Sequence, residues 1–245
     1  MNKVLGYIFS PLHYLSFGLL LVIFHPIQWI CLKVGGYPAH KKSVDILNYL
    51  IVFTYYMVGA RVKFRNNYQL PLHRSIIFVA NHQSLYDIPP MIWHLRKYHA
   101  KFISKIELTR GIPSISFNLK HGGAANIDRK DPKQSITEIL KLAQRMRENN
   151  WSAVIFPEGT RSRTGKMKAF AVGGLNTLIK KVPSALLVPV AITGSWKLTR
   201  YGSFPLSFGE KMSWTVLTPI EPAGRPVEEV IKEAEDAIRA SLGQD

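Results

Sequence analysis

A single cysteine, Cys31, stands in the 245 residues. One thiol can neither close an internal disulfide nor build a thiolate metal site, so the disulfide-stapled secreted class is excluded. Acidic residues are scarce, 16 against 32 Lys and Arg, which leaves a formal charge of +16. Such a surface draws polyanions: nucleic acid, anionic headgroups, phosphorylated substrates or an acidic carrier protein. With 47% hydrophobic and 20% charged residues, the chain is not of the disordered kind. It carries no internal repeat and no low-complexity segment. Its length suits one α/β domain with an appendage.

Charge is also missing locally. From Val4 to Leu32 there is no Asp, Glu, Lys or Arg, a run of about 29 residues where about 18 already make a transmembrane candidate. Pro11 and Pro26 are expected to interrupt it. A signal peptide is disfavoured by the length of the run and by the want of a small-x-small cleavage site. A second apolar run, Ile46 to Ala60, is short for a full span. Lys33, Gly35, Gly36, Pro38, Lys41 and Lys42 separate the two and read as a turn. The expectation is a helical hairpin with a basic apex. Crossing the bilayer would put that apex on the wrong side for the positive-inside rule, so the hairpin is expected to dip into one leaflet, its Lys and Arg flanks meeting anionic lipid. Two soluble core helices are the rival reading, against which stands the lack of a polar face on the first run.

After Arg65 the pattern changes. Short apolar runs at Ser75–Ala80, Lys101–Ser104, Ala124–Ile127, Ala153–Phe156, Ala185–Ile192 and Ser213–Thr218 alternate with helical patterns. The clearest helix is Pro132–Asn149, with Asp131 as N-cap and an Ile136, Ile139, Leu140, Ala143 stripe. A second stripe runs from Val227 to Ile238. The fold expected is α/β, with a mixed, largely parallel sheet flanked by helices. The membrane-associated hairpin, residues 1–62, precedes a catalytic domain, residues 63–245. Pro189 marks its strand as an edge or a bulge.

In such sheets chemistry gathers at the carboxyl ends of strands. Ser75–Ala80 runs into Asn81-His82-Gln83-Ser84-Leu85-Tyr86-Asp87. A turn there can fold Asp87 under the imidazole, fix its tautomer and leave Nε2 of His82 as a general base. No protein nucleophile is evident beside it, so a substrate hydroxyl is the group to be deprotonated. A capped helix start with a satisfied histidine fits the same residues. Ala153–Phe156 runs into Pro157-Glu158-Gly159-Thr160-Arg161-Ser162. Gly159 permits a tight turn and Arg161 offers a fork for phosphate. Glu158 can accept a substrate hydroxyl or orient Arg161. Lys105 and Arg129 each follow a further strand, and three such cations together would make an anion pocket.

Asn81-His82-x4-Asp87 followed by Phe156–Ser162 resembles the glycerolipid acyltransferase family, most closely its bacterial-type 1-acyl-sn-glycerol-3-phosphate acyltransferases. Gly122-Gly123…Ile127-Asp128-Arg129, with Lys105 upstream, and Val188–Ile192 resemble its two other blocks, in order. The resemblance covers about residues 75–195. It implies acyl transfer from an acyl thioester, on CoA or acyl-carrier protein, to the sn-2 hydroxyl of a lysophosphatidate. His82 would be the base and Asp87 its partner. Glu158, Gly159, Thr160 and Arg161 would bind the acceptor, with Lys105 and Arg129 on its phosphate. No cofactor or metal is implied, and the place of action would be the cytoplasmic face of the inner membrane. Against this stand an enzyme with another lysolipid acceptor, a catalytically silent membrane scaffold, and a nucleic-acid-binding module suggested by charge alone. The apolar N-terminus and the want of a nucleic-acid motif oppose the last. Oligomeric state is not legible.

Overall fold

The computed structural model describes residues 1–244. Helix α1 occupies Asn2–Met57 and folds back on itself at Gly36 (φ 63°, ψ −160°), a backbone region open essentially to glycine alone. The two arms, residues 2–35 and 37–57, lie antiparallel. Near their open end the ring of His13 meets the Thr54 carbonyl at 3.0 Å, and midway Leu21 and Phe24 share a core with Leu47 and Ile51. The turn is tighter than the sequence suggested. Lys33, Lys41 and Lys42 are helical, Pro11 and Pro26 lie inside the first arm rather than ending it, and Pro38 stands in the first turn of the second, where no helical bond is lost. One proline removes one helical hydrogen bond, and a neighbouring element can supply a replacement. Next to the Val22 carbonyl that Pro26 leaves free, the Leu21 carbonyl accepts from the Ser114 hydroxyl at 2.6 Å.

The first arm is inside-out. Ser10, His13 and Gln28 are fully buried against the protein, while Leu12, Leu15, Leu19, Ile23 and Ile30 are about half exposed or more. Positions 12, 15, 19 and 23 form one helical face. In water that arrangement exposes the wrong side. In lipid it places apolar side chains outward and polar ones inward, as membrane helices do. The arm is anchored to the globular part at its start and past its middle: Phe208 N donates to the Asn2 carbonyl, and Ser114 N donates to Nδ1 of His25 at 3.1 Å.

Seven strands follow: β1 (Arg61–Arg65), β2 (Ile76–Ala80), β3 (Ala100–Lys105), β4 (Ala125–Ile127), β5 (Ser152–Ile155), β6 (Leu186–Thr193) and β7 (Lys211–Val216). Their order is β1-β7-β6-β2-β5-β3-β4. All neighbours are parallel except β6 and β7. Helices α2 (Ile88–His94), α3 (Ile115–His121), α4 (Pro132–Asn149), α5 (Val172–Lys181), α6 (Ser195–Leu198) and α7 (Val227–Leu242) complete the fold. Strand β2 shows how the layers form. Side chains alternate across a sheet; Ile76, Phe78 and Ala80 join the core shared with the hairpin, and Ile77 and Val79 the core under α4, α5 and α7.

Two details depart from the sequence reading. Arg61–Arg65, read as a basic flank, is edge strand β1, with Val62 and Phe64 half-buried and its three cations exposed. Pro189 is not on an edge, since β6 lies between β7 and β2. Its place is a bulge: the register with the following chain slips by one residue between Val190↔Val216 and Leu187↔Ile220. There the Pro189 carbonyl still accepts from Leu217 N, and the proline, lacking an N–H, sits where the ladder is already disrupted.

Candidate active site

Strands β2, β5, β3 and β4 stand side by side, and each ends in polar residues at its carboxyl edge. Beyond β2 the chain turns through Ser84–Asp87 as a capping box: the Ser84 hydroxyl accepts from Tyr86 N, and the Asp87 carboxylate accepts from Ser84 N. The same carboxylate reaches His82. Its Oδ2 takes three donors, His82 Nδ1 at 2.8 Å, Gln83 N at 2.7 Å and Ser84 N at 2.9 Å. A carboxylate only accepts, so Nδ1 carries the proton and Nε2 has a free lone pair. Asp87 is fully buried. His82 keeps 15% of its side chain exposed and stacks on Phe156 at 4.2 Å. The capped-helix reading and the catalytic reading therefore describe one device: the cap is what holds the acid under the ring.

Oδ1 of Asp87 accepts from the Ser195 hydroxyl at 2.5 Å. Ser195, the buried first residue of α6, was not legible from the sequence because more than a hundred residues separate it from the turn. Asn81 was likewise missed. Its side chain bonds both the N–H and the carbonyl of Ile192 and so ties the end of β2 to β6. Replacing Ser195 with alanine removes a hydrogen bond to a buried carboxylate, worth about 1.5–3 kcal/mol. We expect kcat to fall several-fold with both KM values unchanged, which steady-state kinetics would show; an equal rise in KM would mean that Ser195 does not act through Asp87.

Glu158 is placed differently from the expectation that it orients Arg161. Its Oε1 accepts from His82 N at 2.7 Å and its Oε2 from Lys168 N at 2.8 Å. Among the ion pairs of the described residues none joins it to Arg161. Burial pushes its carboxyl up from the usual range, while the two amides, His82 and Lys168 pull it down. Ser162 N donates to the His82 carbonyl at 2.7 Å, so the loop after β5 clasps the histidine backbone from two sides. Gly159 adopts φ 68° with open space where a Cβ would point. Thr160 is exposed, and its hydroxyl accepts from Lys168 Nζ.

Lys105, Arg129 and Arg161 arrive from the ends of β3, β4 and β5 and line the same cavity as His82. Arg129 is held below the ordinary guanidinium range by burial and by its neighbour Arg161, against the pull of Glu107. The cavity, about 1490 Å³, opens at these cations. It continues between hairpin and sheet along Leu47, Ile51, Ile88, Ile92 and Leu119. His82 thus stands at the junction of three cations and an apolar passage.

Residues 61–193 match the model of the family described as Acyltransferase. The chain belongs to the acyltransferase family. A chloroplast 1-acyl-sn-glycerol-3-phosphate acyltransferase of Arabidopsis thaliana is 31% identical over 127 residues, 52% of this chain and 34% of that protein. The 1-acyl-sn-glycerol-3-phosphate acyltransferase alpha of Mus musculus is 25% identical over 202 residues, 82% of this chain and 69% of the relative. The chain thus spans about a third of the Arabidopsis relative's length. The crystal structure of the lysophosphatidate acyltransferase of Thermotoga maritima superimposes with a TM-score of 0.81 at 23% identity, covering 100% of this chain and 97% of that one. Within this acyltransferase the matched segment holds every cavity-lining group described above from His82 to Arg161, while Ser195 lies just beyond it.

Proposed function

We propose that this acyltransferase moves a fatty acyl group from an acyl thioester, on CoA or acyl-carrier protein, to the sn-2 hydroxyl of a 1-acyl-glycerol 3-phosphate, giving phosphatidate. The observation that carries the reading is the free Nε2 of His82 beside Lys105, Arg129 and Arg161 at the mouth of an apolar cavity. The relatives' names point the same way. Nε2 takes the hydroxyl proton as the alkoxide oxygen bonds to the thioester carbon. The tetrahedral adduct then expels the thiolate, which recovers the proton from the imidazolium, whose charge Asp87 offsets. Glu158 acts as a positioning residue through the amides of His82 and Lys168. Arg161, Lys105 and Arg129 hold the phosphate, which places the sn-2 oxygen. The test is thiol release from palmitoyl-CoA with and without lysophosphatidate. Acceptor-dependent release supports the reading, and release without acceptor, or only with acceptors lacking phosphate, overturns it.

Arg161→Ala should raise the KM for lysophosphatidate about 10- to 100-fold, the worth of a charge-assisted bond, with a smaller change for the donor. Initial rates over an acceptor series would check this.

The hairpin reads as an in-plane anchor in the leaflet at the cytoplasmic face. Its first arm is about 50 Å long at 1.5 Å per residue, beyond the roughly 30 Å of a bilayer core, and the globular part holds it at its start and past its middle. Anionic headgroups fit the basic flanks. Leu15→Asp with Leu19→Asp should weaken co-sedimentation with anionic vesicles by at least tenfold, since each acid costs up to about 3 kcal/mol in lipid. Undiminished sedimentation would count against the anchor.

A further inference from the structure

The cavity does not end as it runs. Past its apolar walls it reaches Gln28 and His40 on the two arms of the hairpin, with Lys101 and Asn118 facing them from β3 and α3. Gln28 and His40 are fully buried. None of their four side-chain nitrogen and oxygen atoms makes a hydrogen bond of good geometry; the His40 ring lies near the Gln28 backbone carbonyl and the Asn118 side chain, whose pull only partly offsets the burial that lowers its pKa. Lys101 backs this end: its ammonium donates to the Tyr37 hydroxyl at 2.5 Å and lies over the rings of Tyr37 and Trp151 at 4.7 and 4.5 Å. Burial brings its pKa down to about 7. Lys105 marks the mouth and Lys101 the far end of one strand, four residues or about 13 Å apart.

Resting on the activity proposed above, we propose that this inner end is a subsite for a hydroxyl group carried on the transferred acyl chain, far from its thioester. The donor's chain is the occupant because it arrives from a water-borne carrier and needs an apolar container, whereas the acceptor's chain can stay in the leaflet. A plain chain ends in a methyl group, which satisfies neither a buried amide nor an imidazole, and sites built for such a chain end in apolar side chains. A hydroxyl both donates and accepts, which matches the amide of Gln28 and the two ring nitrogens of His40. A charged chain end is disfavoured by the apolar walls it would have to pass.

The experiment compares hexadecanoyl-CoA with its isomers bearing one hydroxyl at successive carbons of the distal half, lysophosphatidate being the acceptor throughout. One distal position should be used about tenfold better than its neighbours, the worth of one buried hydrogen bond. That preference should fall about tenfold in Gln28→Leu and in His40→Leu, each read as a ratio of kcat/KM values that does not depend on absolute rate. A preference that is flat along the chain, or the same in wild type and both variants, overturns the subsite while leaving acyl transfer standing. If no donor releases thiol with lysophosphatidate, the activity reading falls and takes the subsite with it.

Discussion

His82→Ala should lower acyl transfer by about 10²–10⁴-fold, the range supplied by a positioned general base, with the KM for lysophosphatidate nearly unchanged. The split follows from the geometry. The ring touches Asp87 and Phe156, while the cations proposed to hold the phosphate come from β3, β4 and β5 and do not depend on it. The backbone of His82 keeps its bonds to Glu158 and Ser162 whatever its side chain, so the loop stays clasped. Thiol release from palmitoyl-CoA, followed at saturating acceptor, measures the loss. Near-normal turnover would remove His82 from the proton transfer. A large rise in acceptor KM at normal kcat would make it a binding group instead.

Much of this site is legible in the sequence because its parts are local. The acid lies five residues after the histidine, within one turn, and the three cations each follow a short apolar run. What the sequence withholds is set by distance. Ser195 and Asn81 act across β6, more than a hundred residues along the chain, and only the strand order brings them in. Glu158 misleads for another reason. A Glu three residues before an Arg suggests an ion pair, yet burial favours backbone amides over a solvated guanidinium. The hairpin's prolines mislead likewise, because rules for helices in water overrate a lost hydrogen bond that a buried neighbour can replace. Edge strand β1 was hidden by its charge, though its alternation of cation and apolar residue was a strand signal.

The sheet order also explains why one hairpin can serve two tasks. Its outer face is apolar and its inner face is the wall of the passage behind His82. Tyr86, inside the capping turn, lies 3.4 Å from Nε2 of His13, and Tyr55 donates to the Tyr86 carbonyl at 3.3 Å. The turn that carries His82 is thus braced by both arms of the hairpin.

Asp87→Asn and Asp87→Ala should part company, and the difference tests the role of the acid. Three donors converge on Oδ2 and two of them are backbone amides. An asparagine must therefore turn its oxygen to that position and its NH₂ toward Ser195, whose hydroxyl can reverse to accept. The imidazole keeps its tautomer and orientation, and only the negative charge beside the imidazolium is lost. Alanine leaves Gln83 N and Ser84 N without a partner in a fully buried place, each at about 1–3 kcal/mol, leaves the Ser195 hydroxyl only its longer bond to Gln83 Oε1 at 3.4 Å, and frees the ring. We expect kcat to fall about 10²-fold in Asp87→Asn, by analogy with the upper range of a general-base contribution shared between two groups. In Asp87→Ala it should fall at least a further tenfold, with a lower unfolding midpoint. Stopped thiol-release assays and thermal denaturation on both variants would decide. Equal activity losses would mean that the charge alone matters and the cap does not hold the ring; an unaffected Asp87→Asn would mean that the acid only orients it.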